Sequence, residues 1–299
     1  MELGLIGLGK MGANMAKRML DSSMDLVVYD ISEDAVNDLE KKGAAGAESI
    51  KDLVSKLKQE RKVVWLMLPA GDITENTFQE LKKLMENEDI IIDGANSNFH
   101  DTLRRHKETA EKGIDMLDVG VSGGIIAIET GYPMMIGGKR EVYKFCKPIF
   151  DSLGIDEGYD LVGDGGAGHY VKMVHNAVEY GMMQAIAEGF ELLDCGRIKN
   201  LDLKKVSHIW NHGTIVSSFL MKMAENAFEK SPNLGDIKPY VDDSGEGRWA
   251  AIEAMEHKVP FVVNSYALHA RYLSRDDNSL AFRMLAAMRN EFGGHPVKK

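Results

Sequence analysis

Five polar side chains recur at helical spacing in one stretch of the sequence, GHYVKMVHNAVEYGMMQAIAEGFELL, which begins at position 168. They fall at positions i, i+3, i+4, i+7 and i+8, and they are Lys172, His175, Asn176, Glu179 and Tyr180. This periodicity predicts a helix, and at about 100° per residue the five side chains share one face about 140° wide. Lysine, histidine and glutamate can transfer protons, whereas asparagine and tyrosine can hydrogen-bond a polar ligand.

The opposite side of the predicted helix is apolar. Its members are Val171, Val174, Ala177, Val178, Gly181, Met182 and Ala185. A polar face opposite an apolar one is often simply solvated, but solvated faces are typically repeats of lysine and glutamate. This face has five different residue types, so we predict that it lines an active site facing a cofactor crevice. The apolar face should then pack within a helical domain.

The composition argues against several classes of function. The chain has 299 residues, enough for two domains, and 44% of them are apolar. A formal net charge of −10 argues against nucleic acid or an anionic membrane as a partner. The two cysteines, Cys146 and Cys195, suggest no disulfide framework and no zinc site, and we expect both to be buried thiols. We identify no metal ligands, signal peptide or membrane span, and predict a cytoplasmic protein.

The first half of the chain alternates predicted strands and helices. The strands are expected at 1–9, 25–30, 62–68, 89–94 and 114–121. Helices are expected from Lys10, Ser32, Ser49, Thr74 and Asp101, with Ser32 as an N-cap and Gly43 as a stop for the second helix. Repeated strand–helix units indicate a parallel sheet that is covered on both faces, a doubly wound Rossmann-type α/β fold.

The second half of the chain has helical periodicity throughout. Apolar residues recur at helix spacing in TIVSSFLMKMAENAFEK and SLAFRMLAAMRNEF, and no repeat or low-complexity segment is evident. The glycine-rich stretch VGDGGAGH precedes the long helix. We therefore predict a dinucleotide-binding domain at 1–165 and an all-α domain for substrate binding and oligomerisation at 166–299.

A glycine pattern, G-x-G-x-x-G, closes the first predicted strand and opens the first predicted helix at Gly7, Gly9 and Gly12. In that context it is typical of a dinucleotide-binding turn, because the glycines let the backbone approach a pyrophosphate and the helix N-terminus offers N–H groups. We assign Lys10 and Met11 of the same turn to the cofactor site. A glycine-rich turn without a ligand is the alternative.

Asp30 ends the second predicted strand, 23 residues after Gly7. A carboxylate at this point can accept hydrogen bonds from both ribose hydroxyls and would repel a 2′-phosphate. No arginine follows it closely, so we predict NAD rather than NADP. A flavin is an alternative, but hydride acceptance by a nicotinamide fits a separate lysine site better.

Three further loops follow predicted strands and should meet at the same edge of the sheet. The first contains Leu68, Pro69 and Ala70, which we assign to the cofactor. The second contains Asn96, which we assign to the cofactor. The third contains Ser122, Gly123 and Gly124, which offer uncharged donors and close backbone approach. Ordinary turns are the alternative for each loop taken alone.

Several of these segments together resemble the 6-phosphogluconate dehydrogenases, within the wider β-hydroxyacid dehydrogenase family. They are GLGKMGANMA, DGANSNFHDT, VSGGIIAIETGYPMMIGG and GHYVKMVHNAVEYGMMQAIAE. The wider family shares the glycine pattern, the S-G-G loop and the helix lysine, whereas the K-x-x-H-N-x-x-E-Y run is more specific. The resemblance covers most of the chain. It implies the short, often NAD-linked branch, because the C-terminal domain is far shorter than in the long enzymes.

The resemblance implies a role for each matching residue. Lys172 resembles the general base and acid, and Glu179 resembles the acid that protonates the product carbon. Asn96, Ser122, Gly123, Gly124, His175, Asn176 and Tyr180 resemble substrate contacts, and Arg271 resembles a phosphate ligand. The tail RNEFGGH resembles one that reaches a neighbouring subunit, so Arg289 and His295 would complete the pocket of a homodimer or homotetramer.

One segment departs from the family pattern. The long enzymes carry a lysine in a KGTGKW-like segment where this chain has SGEGRW, Ser244 to Trp249. Ser244 cannot repeat the phosphate contact of a lysine, and Arg248 does not match that lysine's position. The departure puts strict preference for a 6-phosphorylated sugar acid in doubt.

The resemblance implies oxidative decarboxylation of 6-phosphogluconate to ribulose 5-phosphate and CO2 with reduction of NAD. Another β-hydroxyacid dehydrogenase, acting on 3-hydroxyisobutyrate or a small semialdehyde, is the closest alternative and would share Lys172 and the S-G-G loop. It would need neither Glu179 as an acid nor Arg271, Arg289 and His295 for a phosphate. A non-catalytic NAD-binding protein is a second alternative, which the intact Lys172 disfavours.

Overall fold

The computed structural model describes residues 1–276, 279–281, 283–284 and 288. The chain forms two compact units, Met1–His175 and Asn176–Lys299. The division falls inside one long helix, ten residues beyond the boundary predicted from the glycine-rich stretch. The predicted domain limits, 1–165 and 166–299, therefore stay a prediction.

The first unit is built on an eight-stranded sheet with the order β3-β2-β1-β4-β5-β6-β7-β8. Its strands are β1 Glu2–Ile6, β2 Asp25–Tyr29, β3 Ala45–Gly46, β4 Val63–Leu66, β5 Ile90–Asp93, β6 Asp115–Val121, β7 Tyr132–Gly138 and β8 Gly154–Gly163. All neighbouring strands pair in parallel except β6 and β7, which are antiparallel. The order reverses at β1, which brings the carboxyl ends of β1 and β4 side by side at the edge where this fold binds ligands.

Helices cover both faces of the sheet. They are α1 Lys10–Asp21, α2 Glu33–Glu40, α3 Ile50–Lys56, α4 Asp72–Leu84, α5 Phe99–Ala110, α6 Ala127–Thr130 and α7 Arg140–Leu153, with a 3₁₀ turn at Gly124–Ile126. The predicted cap at Ser32 is confirmed, since its hydroxyl accepts the Ala35 N–H, and Ser49 caps α3 in the same way. The helices predicted from Thr74 and Asp101 begin two residues earlier.

The core lies on both sides of the sheet. All four residues of β4 are buried, and they alternate between two clusters. Val63 and Trp65 pack in the cluster that includes α1 and α7, whereas Val64 and Leu66 pack in the cluster with α3 and α4. Full burial of each such side chain contributes about 1.5–3 kcal/mol. The doubly wound α/β fold is therefore confirmed.

The antiparallel strand β7 was not predicted, nor was β8. Only the short stretch from Ser122 to Gly131 joins β6 to β7, and a parallel crossover needs about a dozen residues or more. The chain therefore turns back beside β6. Strand β8 is mostly exposed or half-buried, so it lacks the continuous apolar run that identifies an inner strand.

A single helix, α8, runs from Ala167 to Cys195 and enters the second unit. The other described helices of that unit are α9 Leu203–Asn211, α10 Phe219–Lys230, α11 Glu246–Glu256 and α12 Val262–Leu273. One apolar cluster joins Phe190 of α8 to Met221 and Phe228, and another joins Tyr180 to α11 and α12. The predicted all-α region is confirmed. No helix in the described residues has the length and apolar character to cross a bilayer.

Two expectations about burial are wrong. The apolar side of α8 is not packed along its whole length, because Val178 and Met182 are each 44% exposed while Ala177 and Gly181 are buried. Cys146 is buried, and burial raises the pKa of its thiol to about 12, but Cys195 is exposed near the end of α8. The sequence pattern identified the face of each residue, but not whether another segment of the chain covers that face.

Candidate active site

The glycine turn between β1 and α1 has the geometry of a phosphate-binding turn. Gly7 has φ +98° and lies against the Met67 carbonyl, so a side chain there would be strained and would collide with backbone. Gly12 packs directly on the Gly7 carbonyl, whereas no atom would approach a Cβ at Gly9 within 4 Å. Lys10 is exposed and Met11 half-buried at the start of α1. The turn thus leaves space beside the α1 N-terminus, where no side chain in the described residues caps the helix.

The Asp30 carboxylate lies over this turn. Its Oδ2 accepts the Leu8 N–H at 2.6 Å, and its Oδ1 accepts the Ser32 N–H at 2.9 Å. Two backbone donors hold the carboxylate in one orientation beside the glycine turn. This is the position expected for a group that hydrogen-bonds ribose hydroxyls.

The loop after β4 lies beside the same turn. Leu68 is half-buried, and its side chain would lie 2.8 Å from a Cβ at Gly7. Pro69 and Ala70 are exposed, and the Thr74 hydroxyl holds the loop by donating to the Pro69 carbonyl at 2.7 Å. The Leu68 side chain therefore lies next to the glycine turn, and Pro69 and Ala70 continue the same loop.

The loops after β5 and β6 are tied together by Asn96. Asn96 has φ +48°, and its Oδ1 accepts the Val121 N–H at 3.3 Å. Ser122, Gly123 and Gly124 follow directly, and both glycines have positive φ. The Asn96 loop and the S-G-G loop thus lie side by side at the carboxyl edge of the sheet, as predicted.

A buried network of charged side chains contacts the Asn96 loop at the residues on either side of Asn96. Arg105 of α5 is 1% exposed, and its guanidinium donates to Asp93 at 2.8 Å and to the Ser97 hydroxyl at 2.9 Å. Its remaining donors reach Glu75 of α4 at 3.0 and 3.1 Å. The network links α4, α5 and both ends of the loop. Because a buried charge is costly unless fully bonded, we expect this network to hold the loop in one conformation.

Glu75→Gln is expected to lower the free energy of unfolding by about 2 kcal/mol at pH 7. Hydrogen bonds from Arg104, Gln79 and Arg105 outweigh burial and lower the pKa of Glu75 to about 2. A lowered pKa stabilises the fold fully above the unfolded pKa near 4.5, and this stabilisation is lost as the pH falls toward 2.

Denaturant unfolding between pH 7 and pH 2.5 measures the effect, and the difference between parent and variant should shrink below pH 4.5. The exposed Glu80→Gln on the same helix is the matched control and should change stability by less than about 0.5 kcal/mol. If the difference in free energy of unfolding between the parent and Glu75→Gln does not change with pH, the stabilisation by Glu75 is not electrostatic.

Lys172 is held against the sheet at the start of α8. Its side chain is only 6% exposed, and a Cβ at Gly120 of β6 would overlap Lys172 Cβ. Gly168 packs on the backbone of β6 and β7, and a Cβ at Gly137 would lie 2.6 Å from Gly168 N. Glycines at these three positions allow α8 to approach the strand backbone closely. Lys172 therefore packs against Gly120, the second-to-last residue of β6. The S-G-G loop begins directly after that strand.

Two further candidates, Tyr180 and Arg271, come together with Ser244 in the second unit. The Tyr180 hydroxyl lies 3.1 Å from Ser244 Oγ and accepts the Ser244 N–H at 3.2 Å. The Arg271 guanidinium stacks on the Tyr180 ring, with its Cζ 3.3 Å from the ring centroid, and also donates to the Asp242 carbonyl at 2.8 Å. Ser244, the first residue of the segment that departs from the family pattern, thus contacts Tyr180, and Arg271 contacts Asp242 just before that segment.

The remaining members of the polar stripe lie on α8. His175, Asn176 and Glu179 are half-buried, and the continuous helix gives them the spacing predicted from the sequence. Arg289 and His295 lie outside the described residues.

Comparison with known proteins agrees with this geometry. Residues 2–163 match the model of the NAD binding domain of 6-phosphogluconate dehydrogenase, and residues 168–289 match that of the 6-phosphogluconate dehydrogenase C-terminal domain. The chain belongs to the 6-phosphogluconate dehydrogenase family. The resemblance inferred from the sequence is therefore confirmed.

Individual members of the family and its structural neighbours differ in length and similarity. A Haloferax volcanii protein named as an NAD(+)-dependent, decarboxylating 6-phosphogluconate dehydrogenase is 40% identical, over 100% of this chain and 99% of its own. The solved Plasmodium falciparum 6-phosphogluconate dehydrogenase is 28% identical with a TM-score of 0.84, and the match covers 100% of this chain but 66% of that one. A Mycobacterium tuberculosis 3-hydroxyisobutyrate dehydrogenase, 20% identical over 92% of this chain and 94% of its own, shares the fold with a TM-score of 0.73.

Several residues that position the site could not be identified from local sequence patterns. Gly120 and Gly137 look like ordinary strand glycines, although their occurrence inside two apolar strands was a signal of close backbone approach. Arg105 follows another arginine on an amphipathic helix, and nothing in that local pattern distinguishes the buried arginine from the exposed one. Asp118, inside the run MLDVGV, was a visible signal because a carboxylate in a buried strand needs partners.

Proposed function

We propose that this protein is an NAD-dependent 6-phosphogluconate dehydrogenase that oxidises and decarboxylates 6-phosphogluconate to ribulose 5-phosphate and CO2, a reaction of the pentose phosphate pathway. One observation carries the proposal. The helix with the K-x-x-H-N-x-x-E-Y run holds Lys172 buried against β6, at the sheet edge that carries the glycine turn. The name of the full-length Haloferax relative supports the same reaction.

The residues at the sheet edge fit a dinucleotide. The open side of Gly9 and the uncapped N-terminus of α1 suit a pyrophosphate, and the Asp30 carboxylate suits an adenosine ribose with a free 2′-hydroxyl. We therefore propose NAD, with NADP disfavoured by charge repulsion. When bound, the nicotinamide would accept the hydride from the substrate.

Lys172 is proposed to act as a base and then as an acid. Its neutral amine takes the proton of the C3 hydroxyl as that carbon loses its hydride, which yields a β-keto acid. The carboxylate then leaves as CO2, and its bonding electrons move toward the C3 ketone. The protonated Lys172 donates to that oxygen and stabilises the enediolate.

Glu179 is proposed to complete the reaction by protonating C1 of the enediol. It follows Lys172 by seven residues on one face of α8, which corresponds to about 10 Å along the helix axis at about 1.5 Å per residue. One rigid helix can therefore present a base and an acid to two atoms of the same small substrate.

We assign the recognition of the substrate's polar groups to residues in both parts of the sequence. Asn96, Ser122, Gly123 and Gly124 supply uncharged donors at the sheet edge, and His175, Asn176 and Tyr180 supply others from α8. Arg271 remains the proposed phosphate ligand, with Arg289 and His295. Ser244 hydrogen-bonds Tyr180 and has no positive charge, so we propose that Arg271, which stacks on the same Tyr180, supplies charge that a lysine supplies in the long enzymes.

One assay tests the proposed function. Purified protein is given 6-phosphogluconate, gluconate or 3-hydroxyisobutyrate, each with NAD and with NADP, while reduced cofactor and CO2 are followed. Formation of NADH and CO2 in equal amounts from 6-phosphogluconate is expected. NADH from 3-hydroxyisobutyrate without CO2 would instead favour the other β-hydroxyacid dehydrogenases, and NAD binding without turnover would favour a non-catalytic protein.

The cofactor preference should depend on Asp30. We expect kcat/KM with NAD to exceed that with NADP by at least about tenfold, because one lost charge repulsion is worth about 1.4 kcal/mol or more. Asp30→Ser combined with Ile31→Arg should shift the preference toward NADP, and Ile31 is 94% exposed, so the arginine can enter without repacking. Ile31→Arg alone is the control. Equal or better efficiency of the parent with NADP would contradict the assignment.

We propose a homodimer as the smallest active unit, with a homotetramer as the alternative. Met255, Val263 and Tyr266 on α11 and α12 are 71%, 68% and 74% exposed, and apolar surface of this kind is usually covered by another subunit. Light scattering should give the dimer mass, and deletion from Arg289 onward should weaken substrate affinity far more than NAD affinity. A fully active monomer would contradict this.

The free thiols Cys146 and Cys195 are compatible with the reducing cytoplasm.

A further inference from the structure

Asp118 is a completely buried carboxylate in the middle of β6. It is 0% exposed, and it pairs across the sheet with Asp93 on one side and Gly137 on the other. Three donors surround it: the Gly166 N–H at 2.8 Å, the His169 N–H at 2.9 Å and His106 Nε2 at 2.8 Å. Although burial raises the pKa of Asp118, the hydrogen bonds and charges of His106 and His169 lower it below its ordinary value. The carboxylate is therefore ionised at neutral pH.

A buried carboxylate is a poor means of stabilising a strand, because an apolar side chain of similar size usually does so at less cost. The identity of its partners indicates a different role. Gly166 and His169 lie at the first turn of α8, where backbone N–H groups have no partner inside the helix. A negative charge at a helix N-terminus is also favoured by the helix dipole. Asp118 thus caps α8 from a strand 48 and 51 residues away in sequence.

Two side chains of α5 complete the arrangement. His106 hydrogen-bonds the carboxylate itself, and the Thr102 hydroxyl lies 2.7 Å from Nδ1 of His169, which is 1% exposed. The first turn of α8 is therefore held by β6 and by α5 at once. Lys172 follows His169 by three residues, which is less than one helical turn.

The packing leaves α8 little freedom to shift while these bonds are intact. Gly120, Gly137 and Gly168 bring helix and strand backbones into direct contact, and Lys172 Cβ lies against Gly120. A shift of the first turn would be transmitted to the lysine because both belong to one rigid helix. A displacement of about 1 Å at a reacting group can cost about 100-fold in rate.

We propose that Asp118 is the positioning residue for Lys172, because its carboxylate holds the N-terminus of α8 on the β6–β7 pair and so sets the distance from the amine to the substrate. The proposal rests on the proposed function only in that Lys172 is the base. The proposal predicts that substitution of Asp118 lowers turnover, although this residue is assigned no contact with substrate or cofactor.

Asp118→Asn is the direct test, since asparagine keeps the shape but turns an N–H₂ group toward a backbone N–H. Turnover should fall about 30–100-fold, whereas the Kd for NAD should stay within about threefold of the parent. Amide hydrogen exchange across 166–169 should become faster. Asp89→Asn is the matched control: Asp89 is also buried and accepts two backbone N–H groups, from Lys62 and Glu86 at 2.8 Å each, at the opposite end of the sheet. It should alter Tm but not turnover.

A second variant, His106→Leu, removes one of the three donors and should lower turnover about threefold to tenfold with the same exchange signature. If Asp118→Asn does not fold, the variant at His106 tests the proposal by itself. Parent-like turnover in the folded variants, or an equal loss in Asp89→Asn, would overturn the proposal. If the parent itself does not oxidise 6-phosphogluconate, the proposed function fails, but unchanged exchange at 166–169 in Asp118→Asn would still separately reject the capping of α8.

Discussion

Lys172→Met is expected to reduce oxidation of 6-phosphogluconate by at least about 10³-fold while leaving NAD affinity nearly unchanged. The amine has two proposed tasks, removal of the hydroxyl proton and stabilisation of the enediolate, so its loss affects both successive steps. Methionine matches the length of the lysine stem and can occupy the same buried space, since Lys172 is only 6% exposed. The glycine turn and Asp30 belong to other segments of the sheet edge, so the cofactor should still bind.

Lys172→Arg separates the charge of this residue from its proton transfer. Arginine keeps the positive charge but does not lose its proton in proteins, so it cannot serve as the base. We expect this variant to be nearly as inactive as Lys172→Met. Steady-state kinetics and NAD titration measure the two effects, and turnover within tenfold of the parent in Lys172→Met would remove the residue from the mechanism.

Glu179→Gln is expected to slow overall turnover by at least about 10²-fold, the lower limit of typical general acid catalysis. Glutamine keeps the shape and hydrogen-bonding reach but has no ionisable proton to give to C1 of the enediol. The loss should fall after hydride transfer, so the first turnover should still produce a burst of NADH. Binding of 6-phosphogluconate should change little. A loss of turnover after hydride transfer distinguishes a decarboxylating oxidation from an oxidation without decarboxylation. The latter ends at the ketone and needs no acid to protonate carbon.

The stereochemistry of protonation gives an independent measurement. In D₂O the parent should introduce deuterium at C1 of ribulose 5-phosphate on one face only, whereas Glu179→Gln should give a mixture from uncatalysed protonation in solution. Glu188→Gln is the matched control, since Glu188 is an exposed residue of the same helix that hydrogen-bonds Gln184. Parent-like rates and stereochemistry in Glu179→Gln would leave this residue only a structural role.

The sequence by itself determined the local features of the fold and of the site. The glycine turn, the cap at Ser32, the carboxylate after β2 and the polar stripe of α8 could all be predicted. Each depends on residues within one or two neighbouring elements, and helical or strand periodicity is visible over that range. The family could be identified for the same reason, because its most specific run of residues lies on a single helix.

The tertiary structure alone decided which distant residues meet. Asp118 caps a helix that begins about 50 residues later, Arg105 supports the Asn96 loop, and Tyr180, Ser244 and Arg271 gather from three separate segments. Local periodicity records which face of an element is apolar, but not which element covers it. The burial and pairing of charged side chains depend on those neighbours, so the partners of Asp118 could not be inferred from spacing.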